Sequence, residues 1–545
     1  MLLDDLQKEL KGEILQDDQT LQFYSHDTSL FELTPQAVIF PQNTDDVKKI
    51  VKFVSKNKKD NPNLSITARS AGTDMGGGAI NDSIILDFTK HINHIIKIEN
   101  FQTEVEPGVL YRDFEKEAEK QHLLLPSFPA SKNICALGGM VNNNSGGEKS
   151  LVHGKTIDYV KDLKMVLSDG NEYDFKKLNQ KQLDAKLKQK DFEGGIYRKI
   201  HKLCQDNYEL IKDAKPKVSK NSTGYNIWDV WDKKSFDLTK IFIGAQGTLG
   251  INTKATLSLI KSKKLSGLLV IYLDDMKVLP SLIVDVVKTK PDSFEAFDDR
   301  TLGLAIKFIP QFIQILGPIR AIQMGLQFLP DLGNFLFKGL PKFTLLVEYE
   351  GDTQEEVSSK IKYLHETIKH YNLKIEEATN KARAENYWLI RRESFNILRK
   401  KVKDKHTAPF IDDFIVPPDH LVEFFPKLIK ILNDYEIDYT TFGHMGDGNF
   451  HIVPLMNLAD PKDRDKIPVV AKLVNQLVIE FKGSISAEHN EGLIRGPFMK
   501  MMYGEKMYEI FKEVKNIFDP QNIFNPHKKT DATMEYSMAH IRQNF

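Results

Sequence analysis

Ala68-Arg69-Ser70-Ala71-Gly72-Thr73-Asp74-Met75-Gly76-Gly77-Gly78 follows directly on the strand-like stretch Leu64-Ser65-Ile66-Thr67-Ala68. A run of small residues at the end of a strand lets backbone N–H groups approach a diphosphate closely, and Arg69, Ser70 and Thr73 add side-chain donors. The glycine spacing matches neither the Rossmann fingerprint nor the Walker loop. Two further glycine-rich stretches occur, one at 136–147 containing Gly138-Gly139 and Gly146-Gly147, the other at 244–251 containing Gly244, Gly247 and Gly250. Each alone reads as a tight turn. Together they suit a large flat cofactor with a pyrophosphate, gripped along its length.

Outward from these loops, short apolar strands alternate with helices. Ala37-Val38-Ile39-Phe40 runs into Pro41, and Thr44-Asp45-Asp46 caps a helix whose apolar face is Val47, Ile50, Val51 and Val54. Further strands are expected at 83–87, 102–106, 160–167 and 241–244, with a helix at 111–122 and a hairpin turn at Asp169-Gly170. Antiparallel hairpins among helices imply an α+β class, not a doubly wound parallel sheet. From about residue 261 the pattern changes. Strands at 265–273 and 343–351, the second followed by a helix at 353–371, describe a small antiparallel sheet with helices on one face. Between them 308–340 is apolar, carries few charges, and is broken by prolines and glycines into pieces too short to span a bilayer. It reads equally as a membrane-surface patch, extra core or a homodimer contact. The expected organisation is an N-terminal helical segment 1–35, a first domain 36–260, a second 261–470, C-terminal helices 471–528 that return to complete the site, and a peripheral tail 529–545.

A chain of 545 residues needs two or three cores. Lys+Arg and Asp+Glu balance at 75 each, which argues against nucleic acid as a partner. Two cysteines, Cys135 and Cys204, exclude a disulfide scaffold and a self-contained iron–sulfur cluster, which needs about four thiolates. With no signal-like or membrane-spanning run, the default compartment is cytoplasmic, with the inner face of the cell membrane as a peripheral station.

The chemistry is concentrated late in the chain. Thr441-Phe442-Gly443-His444-Met445-Gly446-Asp447-Gly448-Asn449-Phe450-His451 sets two imidazoles across a glycine-bracketed turn. Ser486-Ala487-Glu488-His489-Asn490-Glu491-Gly492 adds a carboxylate and a third imidazole. His444, His451 and Glu488 make a ligand set for a divalent metal, zinc first, with positions left for substrate. His489 suits acid–base work near neutral pH.

These stretches, with Tyr24 to Ser29, Val105 to Gly108, Pro129, His153-Gly154-Lys155-Thr156 and Phe518 to Pro526, resemble the vanillyl-alcohol oxidase (p-cresol methylhydroxylase) flavoprotein superfamily. Within it the later motifs are similar to the FAD-linked 2-hydroxyacid dehydrogenases, the branch of D-lactate dehydrogenase, the glycolate oxidase FAD subunit and D-2-hydroxyglutarate dehydrogenase. The resemblance implies a PCMH-type FAD-binding domain of two α+β subdomains, a ferredoxin-like antiparallel cap, and a C-terminal segment returning to the FAD domain. It implies FAD on Arg69, Ser70, Ala71, Gly72, Thr73 and Asp74 (pyrophosphate) and on Gly138, Gly139, Asn143, Gly250 and Ile251 (flavin and ribityl). Pro129, Gly147, Gly154, Gly247 and Asn525 complete the cofactor set. The link is non-covalent, since Thr73 stands where covalent members often have His, and the setting of Cys135 does not fit a cysteinyl flavin. It implies zinc, or manganese or iron, on His444, His451 and Glu488, with His489 as base. By spacing from Trp388, Arg391 clamps the substrate carboxylate, with Arg392 as alternative. Electrons pass to a quinone, a cytochrome or a carrier protein; an oxidase using dioxygen is the rival. Ile411 occupies the position where the 2-hydroxyglutarate branch has a basic residue, so D-lactate or glycolate is favoured and D-2-hydroxyglutarate is the alternative.

Overall fold

A computed structural model describes residues 2–307, 339–378, 381–401 and 405–543. The apolar stretch 308–340 therefore lies, apart from Gly339 and Leu340, outside the described residues. The chain forms two compact units. The first comprises Met1–Gly147, Gly154–Ser262 and Ser484–Phe545; the second comprises Glu148–His153 and Lys263–Gly483.

Two larger sheets organise the first unit, beside two short two-stranded pairings. In one, β1 (Glu13–Leu15), β2 (Ala37–Phe40), β3 (Ile66–Arg69) and β4 (Ile84–Asp87) run in the order β1-β2-β4-β3, with β2, β4 and β3 parallel. β2 and β4 are buried on both faces, as their unbroken apolar runs require. Helix Thr44–Asn57 is capped by Asn43 and buries Val47, Ile50, Val51 and Val54. That is the apolar stripe read from the sequence, with its cap one residue earlier. The other sheet is antiparallel: β5 (Ile95–Glu99), β6 (Gln102–Val105), β7 (Val160–Val166), β8 (Glu172–Lys176) and β9 (Ile251–Ser258), ordered β5-β6-β9-β7-β8. The expected strand at 241–244 is instead a short helix, Thr239–Phe242. Its Ile241 and Phe242 are buried on the core, so packing overrode the β-branched pattern. The residues after Lys528 are not peripheral: Lys529 is buried, helix Met534–Ala539 follows, and Ile541 bridges Phe31.

Among the described residues the second unit is built on one antiparallel sheet of eight strands: β10 (Leu265–Leu273), β11 (Ser293–Asp298), β12 (Phe343–Gly351), β13 (Lys374–Glu377), β14 (His406–Thr407), β15 (Phe414–Ile415), β16 (Tyr439–His444) and β17 (Asn449–Met456). The order is β13-β10-β12-β11-β16-β17-β14, with β15 also on β17. It is larger than the small sheet expected, because charged, glycine and histidine residues interrupt the apolar period of β11, β13, β16 and β17, and two-residue strands carry none. Leu268, Val270 and Tyr272 alternate along β10 and pack with Phe297, Leu346, Tyr387, Trp388 and Ile390.

Leu346 is fully buried at the middle of this sheet. Leu346→Ala is expected to lower the stability of the second unit by about 2–5 kcal/mol. Ile96→Ala, at a side chain 45% exposed, should change stability by no more than about 0.5 kcal/mol. Denaturant melts of the two variants check the contrast.

Candidate functional site

In the first unit the three glycine loops converge. The carbonyl of Pro107 accepts from Ser70 Oγ at 3.1 Å and from the Gly138 N–H at 2.9 Å, joining the first loop to the second. Gly244 N–H donates to Val141 O at 3.0 Å and Gln246 N–H to Asn142 O at 2.8 Å, joining the third to the second. Cβ atoms placed on Gly139 and Gly247 would meet nothing closer than Ser70 Cβ at 3.9 Å and Ala68 Cβ at 4.0 Å. Both backbones border open space, as a ligand cradle requires, and Gly247 has a positive φ of 67° as well. Gly138 and Gly147 differ: their Cβ atoms would strike Pro107 at 2.4 Å and Phe128 O at 2.1 Å, so they serve the close packing of the loops.

Several residues expected on FAD have protein partners. Arg69 Nη1 donates to His26 O at 3.0 Å and its guanidinium lies 5.0 Å from the Tyr24 ring, so it supports the first loop from beneath. The Asp74 carboxylate accepts from the Gly76 and Gly78 N–H groups at 2.7 and 2.8 Å. Asn525 accepts from Thr67 Oγ1 at 2.7 Å and donates to Gly78 O and Gln246 O at 2.8 and 2.7 Å. These residues build the cradle. Ala71, Gly72 and Thr73 remain half-buried at its rim. Gly154 and Gly250 have positive φ, and Ile251 opens β9 opposite Val166. Pro129 O caps the Lys132 N–H at 3.0 Å. Burial pushes the Cys135 thiol up to about 12, which suits an inert thiol.

The stretch 486–492 rests on these loops. Asn143 Nδ2 donates to Glu488 O at 3.1 Å, Asn490 Nδ2 to Gly244 O at 2.7 Å, Gly492 N–H to Gln246 Oε1 at 2.9 Å, and Leu493 N–H to Gly76 O at 2.7 Å. Buried lysines brace it. Lys155 Nζ donates to Ala487 O at 2.5 Å, Lys220 faces Glu488 at 3.4 Å, and Lys529 pairs with Glu491. His489, whose side chain is 22% exposed, is thus carried on a stretch fixed to all three glycine turns.

In the second unit, β16 and β17 form a hairpin in which Phe442 opposes His451 and His444 opposes Asn449. A period of two puts residues 442 and 444, and 449 and 451, on one face, so the imidazoles meet with ring centroids 5.4 Å apart. Gly448 closes the turn at φ 71°, where a Cβ would lie 2.0 Å from Val416 O. Each ring is oriented through Nδ1, His444 by Glu295 Oε1 at 2.5 Å and His451 by Asp412 Oδ1 at 2.9 Å. A carboxylate on Nδ1 orients the ring, and metal-ligating histidines are commonly held this way. Arg391 donates to Glu295 Oε2 at 3.2 and 3.0 Å, with its guanidinium 4.9 Å from the Phe442 ring. Arg392 pairs with Glu148 at 3.0 Å. Of the two arginines, Arg391 shares a carboxylate with a site histidine.

Sequence reasoning missed Glu295, Asp412, Lys155, Lys220 and Gln246. Glu295 left one signal, a charge within the apolar strand Ser293–Asp298.

Asp27, wholly buried beside Asp74, is pushed up to about 6, chiefly by burial. The folded state then keeps a proton that the unfolded chain releases near 3.8. Stability of the first unit should fall as pH rises between these values and level off above them. Asp27→Asn should lack this fall, read as the melting temperature of the two chains from acid to neutral pH.

Comparison with known proteins agrees with this geometry. Residues 35–176 match the FAD binding domain, and residues 268–529 the C-terminal domain of FAD linked oxidases. D-2-hydroxyglutarate dehydrogenase of Escherichia coli (strain K12) is 28% identical over 515 residues, 92% of this chain and 49% of that protein. This chain thus spans about half the length of that relative. Glycolate oxidase subunit GlcD of Bacillus subtilis (strain 168) is 27% identical over 512 residues, 93% of this chain and 91% of the relative. In fold, the chain is similar to p-cresol methylhydroxylase with substrate bound, at TM-score 0.68 and 15% identity, covering 97% of this chain and 96% of that one. The α+β class and the antiparallel cap sheet expected from sequence are both observed.

Proposed function

This chain belongs to the FAD linked oxidases, and from that premise we propose that it oxidises a D-2-hydroxyacid to the 2-oxoacid. The activities named for its relatives share one substrate pattern, a hydroxyl on the carbon beside a carboxylate. The observation that carries the reading is the seating of residues 486–492 on the three glycine turns, which fixes His489 to the cofactor cradle. Bound FAD supplies a two-electron acceptor for the hydride from Cα. His489 takes the hydroxyl proton, and Arg391, partly engaged by Glu295, orients the substrate carboxylate.

His444 and His451 fit a divalent cation through their Nε2 atoms, zinc first and manganese or iron as alternatives. Glu488, in the first unit, is the further ligand carried over from the sequence resemblance. Such an ion supplies Lewis acidity toward the oxygens of an α-hydroxyacid. Electrons leave to a quinone, cytochrome or protein carrier, because two buried thiols cannot hold a cluster. Among the described residues no helix is long and apolar enough to cross a membrane.

The chain is assayed against D-lactate, glycolate, D-2-hydroxyglutarate and their L forms with an artificial acceptor, with and without chelator. D-lactate or glycolate should react best, and chelator should abolish turnover. A flavin-loaded protein that oxidises none of them sinks the reading. Asp412→Asn should weaken metal binding by about 10- to 100-fold, read by competition with a chromogenic chelator. Unchanged affinity would remove the two histidines from the metal site.

A further inference from the structure

We propose that His153, Asp292 and Glu350 form a second divalent-cation site, of the zinc type, within the second unit. One imidazole nitrogen and one oxygen from each carboxylate lie within 4.8 Å of one another. Ligands at about 2.0–2.2 Å from zinc stand roughly 3.5 Å apart, so closure needs only rotations of half-buried side chains. An imidazole with two carboxylates favours zinc or manganese over magnesium.

The strand residues hold the carboxylates in place. Asp292 N–H donates to Glu348 O at 2.9 Å, and Asp292 Oδ2 accepts the Glu350 N–H at 2.7 Å, which locks the start of β11 to the end of β12. His153 ends the short helix Ser150–His153, on the segment 148–153 that belongs to this unit. That segment is anchored here by Arg392 on Glu148, by Lys149 between Glu348 at 3.6 Å and Glu350, and by Leu151 against Gly446.

Lys149 is the internal competitor. Its ammonium sits on Glu350, one of the three ligands, with Glu348 as a second partner to which it can retreat. An incoming cation must share Glu350 with it, so removing the ammonium tightens the site. The inference stands apart from the flavin reading and from the His444–His451 pair.

The test uses the full chain stripped with chelator and titrated with Zn2+ by calorimetry, with bound metal counted by mass spectrometry after dialysis. His153→Ala, His153→Gln and Asp292→Asn should each lose about one equivalent of zinc per chain. Lys149→Met should keep that equivalent and bind it more tightly. In a His451→Ala background the His153-dependent equivalent should persist, which separates this site from the other whatever becomes of the latter. If all three substitutions at His153 and Asp292 bind as much zinc as the unsubstituted chain with the same affinity, the site does not exist.

Discussion

A Cβ on Gly78 would stand 2.4 Å from Gln246 Nε2, and the absence of that carbon admits the amide on which the first unit is organised. Nε2 faces Asp74 at 3.3 Å and Asn143 at 3.5 Å, while Oε1 accepts the Gly492 N–H at 2.9 Å. One buried side chain therefore touches the first and second glycine loops, projects from the third, and receives the stretch that carries His489. Its own backbone sits at φ 52°, a conformation tolerated because the surrounding bonds over-determine it. Buried amides left without partners cost about 1–3 kcal/mol each, so the loops are coupled: shifting one strands donors on the others. Asn525 repeats the arrangement from the C-terminal segment, which explains why a sequence-distant tail has to return to this unit.

The second unit solves a different problem, holding two imidazoles in one defined orientation. Glu295 offers one oxygen to His444 and the other to Arg391, so the carboxylate and guanidinium charges offset each other beside the ring. Asp412 holds His451 through Nδ1 in the same way, at 2.9 Å. A carboxylate thus stands behind each ring, the sign of charge that favours a cation on the other side of a histidine. The β-hairpin supplies the geometry, and Gly448 supplies the turn that keeps residues 444 and 451 on one face.

Much of this was legible in the sequence because glycine and histidine are read locally. The three glycine loops, the helix after Asn43 and the strands of the first unit follow from turn chemistry and apolar period. The convergence of the loops did not, since it rests on Gln246, Asn490 and Asn525, polar residues whose meaning depends on partners far along the chain. Glu295 and Asp412 were hidden for the same reason: a carboxylate behind a histidine has no fixed spacing from it. Arg69 and Asn525 read toward the cofactor, and in the structure their donors are satisfied by backbone carbonyls while Asn525 also accepts from Thr67 Oγ1. The size of the second sheet escaped because strands such as His406–Thr407 exist only through their pairing with Asn449–Met456.

Charge pairing in the second unit also bears on the substrate we propose. Arg391 places Nε and one terminal nitrogen on Glu295, which leaves its other terminal nitrogen for a substrate carboxylate. The adjacent cations are already neutralised, Arg392 by Glu148 and Lys149 by Glu348 and Glu350. Ile411, where a basic residue would read a distal carboxylate, is apolar and buried. A monocarboxylate loses nothing in such surroundings. A dicarboxylate must bring a second charge away from water, and where no cation meets it the cost is at least about 1–3 kcal/mol. Since about 1.4 kcal/mol is tenfold in rate, the reading we propose makes D-2-hydroxyglutarate the poorer substrate by tenfold or more.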